Sequence, residues 1–523
     1  MDRRIFLKTA GAGALALSLP GPVLAWLSGL TDDQVEAKIK EVLPQMTLDE
    51  KTGIMAGKLR NLWEELKKNQ TVKRDNSQDH DFTGKTSGVP RLNVPPILCL
   101  DGPRGVGFDY KATCFPVSAC RAASWDPAIE EAVGEAAGYE TRAYNANMLL
   151  APCVNLLWHP RWGRAQESYG EDTVLIGAMG AAFVRGLQKH VMACAKHYAV
   201  NNTEDNRTRV DAQVDERLLR EVFLPHFQEC CVDAKSASVM SSYNDVNGYL
   251  ASENKHLLRD ILKGEWNWDG MVISDWGPAV EHTVEPALAG LDVQMPGPTF
   301  FGPKLAQAVR DGKVPESVID EAVTRQLRQL FRFVKDNYRE GYDRVKVAGP
   351  EHSAVSQRAA EKGMALLKNR GGLLPLDAAK VKKLVVCGSL AADKVKVIGD
   401  HGSSRITPPY VVSPLEGMQK RFGADKVMHV ADPKQVAAAA ADACRMSSSR
   451  IRFCAAFAFA ERSCSLATFT CACAASTSSR RPPSLIIDSR STADLCSDLA
   501  TAYCVLARSN KDCEIAPSFR SCC

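Results

Sequence analysis

An α/β fold, a (β/α)8 barrel followed by a second α/β unit, is what this sequence predicts, on three observations. Between about residues 90 and 340, short apolar runs alternate with longer segments of helical spacing. Strands alternating with helices build a parallel sheet, and a stretch of this length suits a (β/α)8 barrel. The polar residues of the runs gather at their C-terminal ends: Asp101, Lys196 with His197, Tyr243 and Asp275. In a barrel those ends share one face, where active sites are built. Past 340 the chain turns polar and Gly/Pro-punctuated, then resumes a helix–turn–strand pattern.

The elements follow in chain order. Residues 1–25 carry Arg3, Arg4, Phe6, Leu7 and Lys8, then an apolar segment ending at Val23-Leu24-Ala25. This reads as a cleavable export signal of the twin-arginine type, implying a bacterial protein sent to the periplasm or beyond; the alternative is a mobile basic N-terminus. Residues 26–340 supply the barrel. Its strand candidates are "PPILCLDG", "NMLLAPCVNL", "VMACAKHYAV", "ASVMSSYN", "GMVISDWG" and "AGLDVQMP"; "DPAIEEAVGEAAGYETRAYN" and "DERLLREVFLPHFQECCVDA" read as helices between them. Residues 341–355 read as a linker. The second unit, 356–444, offers the helix "AVSQRAAEKGMALLKN", the turn "RGG" and the strand "KKLVVCG". The loop "GDHGSSRITPPYVVSPLEGM" lacks the GK[ST] ending of a phosphate loop.

Composition excludes several classes. A net charge of +4 over 523 residues argues against a nucleic-acid protein. No interior apolar run reaches the length of a membrane span. Of 18 cysteines, eight precede residue 440 (Cys99, Cys114, Cys120, Cys153, Cys194, Cys230, Cys231 and Cys387), and most sit in apolar stretches as small buried hydrophobes. Neither a CxxC pair of metal spacing nor HExxH occurs, so no structural zinc is expected.

The stretch "MVISDWG" poses the chemical question. A buried strand that ends on a carboxylate must pair it or use it. Taken alone, Asp275 is a turn cap; with four or five polar groups converging on the same face, it becomes a catalytic group.

Seven motifs, "GVPRLNVPPILCLDGPRGV", "WGRAQESYGED", "ACAKHYAVNN", "SVMSSYNDVNG", "MVISDWG", "AGLDVQMPG" and "ALLKNRGGLLPL", occur in an order that resembles glycoside hydrolase family 3, the β-glucosidase family, over about residues 30–440. The resemblance implies a barrel followed by an α/β sandwich, with a sugar held by both. It implies a retaining, exo-acting β-glycosidase on small oligosaccharides or β-glucosides, with Asp275 as the nucleophile and no cofactor. Retaining glycosidases need a second carboxyl group about 5 Å away as acid/base. By the same resemblance Asp101, Arg164, Lys196 and His197 hold sugar hydroxyls, Tyr243 orients the nucleophile, and Met240 and Trp276 wall the sugar. For Met240 plain core packing is an equal reading, and for Lys196 and Arg164 ordinary ion pairing is the alternative. Glu167 braces the arginine loop. "KHYAVNN" in place of a "KHFPGHG"-type loop disfavours the N-acetylglucosaminidase branch.

From Arg445 to Cys523 the pattern stops. These residues contain no Gly, fifteen Ser and nine Cys, where average usage would give about five Gly. With suitable codons, a one-base shift of Ala-Asp-Val-Val-Ile reads Arg-Met-Ser-Ser-Ser, the sequence of Arg445 to Ser449. Residues 445–523 therefore read as an out-of-frame tail, with a genuine Ser/Cys-rich tail or a disulfide module as the alternative; the sandwich is expected to be incomplete, and the acid/base is missing. Glu461 matches no family motif and is not assigned. Two other classes follow from the same residues: a catalytically dead sugar-binding protein, and a Schiff-base aldolase using Lys196.

Overall fold

The structure, a computed structural model, describes residues 28–58, 82–107, 110–334, 341–399, 402–436, 438–439, 451–459 and 467–475. The expected export signal and Glu461 lie outside the described residues. The described residues form two compact units: one holds those up to Leu376 together with Leu390–Gly417, the other Asp377–Ser389 and those from Met418 on.

The first unit is built on a six-stranded sheet. In order it holds β1 (Gly84–Lys85), β2 (Leu98–Asp101), β3 (Met148–Leu150), β4 (Met192–Tyr198), β5 (Ser238–Ser241) and β6 (Met271–Ser274). From β2 to β6 every residue is buried and every pairing is parallel. That burial explains why these runs are almost wholly apolar rather than alternating. Isolated bridges carry the pairing on from Ile273 to Val293, from Gln294 to Ala56 and from Gly57 to Thr86, beside β1, so the sheet curls back on itself. "AGLDVQMP" contributes to this closure as bridges rather than as a full strand. One departure from an all-parallel barrel is β1, which runs antiparallel to β2.

Helices cover the barrel. The helix Pro127–Ala143 is capped by Asp126 with Pro127 in its first turn, and the helix Thr173–Leu187 by Asp172, both standard start signals. They pack so closely that a Cβ on Gly186 would lie 2.0 Å from the Glu131 carbonyl oxygen. The expected helix after β4 is divided into short pieces, Glu216–Leu218, Leu219–Phe223, Pro225–Gln228 and Glu229–Asp233. Pro225 lacks the amide that a continuous helix needs. The stretch expected as a linker gives way to helix Pro350–Gly363, begun by Pro350.

The second unit is a four-stranded sheet in which Leu384–Cys387 lies between Val427–Val430 and Ile451–Phe459, both parallel to it. Ala467–Ala475 adds antiparallel at the edge. Strands thus form past residue 445, where the sequence pattern stops. Among the described residues no helix is long and apolar enough to cross a membrane, no group of His, Cys, Asp and Glu could hold a metal ion, and the eight cysteines are unbridged.

Candidate active site

The C-terminal ends of β2, β4 and β6, with the loop that follows β3, bring Asp101, Arg164, Lys196, His197 and Asp275 together. The strand β4 ends on two consecutive polar residues. Neighbours on a strand face opposite sides, but the pairing of β4 with β5 shifts register between Lys196 and Tyr198. A register break of this kind re-aims side chains, and both residues reach the site.

Lys196 Nζ donates to Asp101 Oδ1 at 3.0 Å, both side chains being buried. Burial pushes the Asp101 carboxyl up, with Lys196 and Arg164 opposing. Burial works most strongly on the Lys196 ammonium and lowers it, but Asp101, with Glu167 adding, leaves the group above the usual lysine value. Arg164 grips Glu167 as a fork, Nε to Oε1 at 3.1 Å and Nη2 to Oε2 at 2.8 Å. Despite burial, the arginine keeps Glu167 below the ordinary glutamate value. Fixed in this way, Arg164 Nη1 lies 2.9 Å from His197 Nε2.

That contact sets the histidine tautomer. A guanidinium only donates, so Nε2 must accept and the proton sits on Nδ1. Nδ1 then donates to Asn155 Oδ1 at 3.0 Å, and Asn155 also takes the His197 amide at 2.8 Å and gives its own Nδ2 to the His197 carbonyl at 2.8 Å. Burial, with Arg164 and Lys196 adding, pushes His197 well below its usual pKa. It is neutral.

Asp275 follows β6. Its Oδ1 accepts the Trp276 amide at 2.7 Å. Its Oδ2 is buried, makes no hydrogen bond, and lies 3.7 Å from His197 Nε2, which has no proton to offer. Burial raises the carboxyl; Arg164, the Trp276 amide, Lys196 and the nearby Tyr243 hydroxyl pull it back only in part. The cations expected to offset desolvation are in place, and burial still prevails. Tyr243 lies under the Arg207 guanidinium, 5.0 Å from its ring centre. The Trp276 indole donates to the Thr83 carbonyl at 2.9 Å and covers Gly84, where a Cβ would meet the ring at 2.5 Å. Met240 sits in the barrel core, in register between Lys196 and Ile273.

The sequence matches the Glycosyl hydrolase family 3 N terminal domain over residues 31–329, within the first unit, and the Glycosyl hydrolase family 3 C-terminal domain over residues 364–467. The chain belongs to glycosyl hydrolase family 3. It is 36% identical over 397 residues to beta-glucosidase B of Emericella nidulans, spanning 74% of this chain and 44% of that protein. It is 37% identical over 405 residues to thermostable beta-glucosidase B of Acetivibrio thermocellus, spanning 74% and 49%. The structure of beta-glucosidase 3B from Thermotoga neapolitana in complex with glucose superposes with a TM-score of 0.67 at 33% identity, over 79% of this chain and 57% of that one. The chain spans about half the length of the curated relatives it matches.

The family 3 motifs did not point to Asn155, Thr83, Arg207 or Ser403, whose hydroxyl lies 3.4 Å from Arg164 Nη2. Ser403 comes from the 390–417 segment, which folds with the first unit although it follows the start of the second in sequence. Arg104 Nη2 donates to the Ile398 carbonyl at 2.8 Å and ties that segment to the Asp101 loop.

Proposed function

We propose that this chain is a β-glucosidase-type glycoside hydrolase that works by retention, with Asp275 as its nucleophile. The observation that carries the reading is Asp275 Oδ2: a buried carboxylate oxygen with no hydrogen bond, beside a proton-free histidine nitrogen. Such an oxygen has its lone pairs available, and a buried polar atom left unpaired costs about 1–3 kcal/mol, which bonding to carbon would relieve. The names of the relatives, and the glucose in the Thermotoga neapolitana complex, support a β-glucoside as substrate.

In the proposed reaction Asp275 Oδ2 bonds to the anomeric carbon as the bond to the leaving oxygen breaks. Water then displaces Asp275, and the proton it gives up balances the one taken by the leaving group. Asp101, Lys196, Arg164 and His197 bind sugar hydroxyls; Lys196, Arg164 and Tyr243 favour the ionised nucleophile. Trp276 supplies an apolar wall. No described residue is assigned as acid/base, and we place 445–523 out of frame; translating all frames of the DNA around codons 440–450 tests this. A second frame opening into a Gly-containing α/β pattern supports it, and a single open frame overturns it. Export by a twin-arginine signal is proposed likewise, with loss of export in an Arg3→Lys, Arg4→Lys variant as its test.

A glucoside with a dinitrophenolate leaving group needs no protonation, so the first half-reaction is testable without the acid. The 2-deoxy-2-fluoro-β-glucoside of this kind should label Asp275 covalently, seen by mass spectrometry of the peptide spanning 271–277. Labelling elsewhere, or undiminished labelling of Asp275→Ala, overturns the nucleophile assignment. Glucose binding with no labelling would favour the sugar-binding, non-catalytic reading.

A further inference from the structure

We propose that Arg121 is a positioning residue for the sugar clamp, acting through Glu130 and Tyr169 to hold the Asp101 loop and the Arg164 loop at their working separation. This rests on the hydrolase reading above.

Arg121 and Glu130 form an ion pair with no exposure on either side chain. Arg121 Nε donates to Glu130 Oε2 at 2.7 Å and Nη2 to Oε1 at 2.9 Å. The remaining donors go to the backbone and a hydroxyl: Nη1 to the Pro116 carbonyl, and Nη2 to the Pro103 carbonyl at 3.1 Å and Ser118 Oγ at 3.2 Å. Glu130 Oε1 also accepts the Tyr169 hydroxyl at 2.6 Å. Burial opposes the arginine's charge, but Glu130 and Tyr169 together hold the group above its ordinary value.

The two ends of this network are what give it a role. Pro103 is two residues from Asp101, which binds Lys196. Tyr169 is two residues from Glu167, which forks Arg164. Between them Ser168 Oγ donates to the Asn155 carbonyl at 2.7 Å, and Asn155 orients His197. The two groups of the clamp therefore lie on successive barrel loops joined from behind by one buried, bidentate link. A buried ion pair is weak evidence for stability, because apolar residues of similar volume often serve as well or better. A planar fork bonding to a carboxylate does fix geometry, and a site displaced by about 1 Å loses on the order of a hundredfold in rate.

The test uses the full chain and three variants, Tyr169→Phe, Arg121→Lys and the apolar double variant Arg121→Leu/Glu130→Leu. Calorimetry gives the glucose Kd, labelling by the fluoroglucoside gives its half-saturation and limiting rate, and thermal unfolding gives Tm. Tyr169→Phe removes one hydroxyl and leaves the ion pair intact, so it folds even if the others do not. The expected result is glucose binding weakened about tenfold in Tyr169→Phe and more in the double variant. Half-saturation should rise in parallel, with the limiting labelling rate changed less and no matching fall in Tm. Arg121→Lys, which keeps the charge and loses the fork, should bind more weakly than the parent and more tightly than the double variant. Unchanged Kd and half-saturation in folded variants would overturn this proposal alone. A parent that neither binds glucose nor is labelled would overturn the hydrolase reading and this role with it.

Discussion

Two buried aspartates at neighbouring positions of the same barrel have opposite surroundings. Asp292 is fully buried and fully bonded: Lys263 Nζ reaches Oδ1 at 2.7 Å and the Val272 amide reaches Oδ2 at 2.7 Å. Asp275, at the end of the strand that contains Val272, is almost as buried, yet only one of its oxygens is bonded. Burial raises both carboxyls. What separates them is completeness of bonding, not depth. A satisfied carboxylate closes the barrel; an unsatisfied one is left with lone pairs to use.

The sharpest way to break this comparison is to neutralise each in turn. Asp275→Asn should lower labelling and hydrolysis of an activated aryl β-glucoside by about 10⁴-fold or more, since the covalent step is lost, while Tm stays level or rises. Asp292→Asn should do the reverse. It strands the buried Lys263 ammonium, costing about 3–5 kcal/mol of stability, while the molecules still folded label at the parent rate. Equal Tm losses in the two variants would erase the distinction.

Next in size, Lys196→Met leaves Asp101 buried without its cation. Labelling should fall about a hundredfold or more, read as weaker glucose binding as well as slower chemistry. A variant that binds glucose normally would remove Asp101 and Lys196 from the clamp.

The pH dependence sharpens the same contrast. Asp275 is raised above 3.8, so labelling should decline, as pH falls, through a pKa above the ordinary aspartate value. Arg164→Met removes the largest opposing charge and should move that limb to still higher pH. In stability, a raised folded pKa contributes fully below the unfolded value and is lost as pH rises through the folded one. The Tm advantage of Asp275→Asn over the parent should therefore widen from acid toward neutral pH. The smallest expected effect is Trp276→Phe, which loses the bond to the Thr83 carbonyl: about 0.5–1.5 kcal/mol of stability by thermal unfolding, and a modest rise in half-saturation.

Much of the site was legible in the sequence because its groups stand at the ends of apolar runs. Asp101, Lys196, His197 and Asp275 could be found that way without a fold, and Arg164 with Glu167 came as a motif. Asn155 could not: it sits in an apolar run with nothing to mark it, and its role exists only because β3 and β4 are neighbours. Arg121 and Glu130 were equally hidden. Nine residues apart across a turn, they resemble ordinary surface charges until the fold buries them. Met240 shows the opposite limit, since its place in the core follows from register rather than from residue type.

The sequence by itself determined the α/β class, the five parallel strands of the first sheet and the polar residues at or just past their ends, because hydrophobic periodicity and capping are local properties of the chain. Tertiary structure alone decided which charges are satisfied. It paired Lys263 with Asp292 and Arg164 with Glu167, oriented His197 through Asn155, ran β1 antiparallel and brought Ser403 to Arg164. Each of these depends on groups that meet only when strands distant in sequence lie side by side, and it is that meeting which leaves Asp275 Oδ2 buried and unbonded.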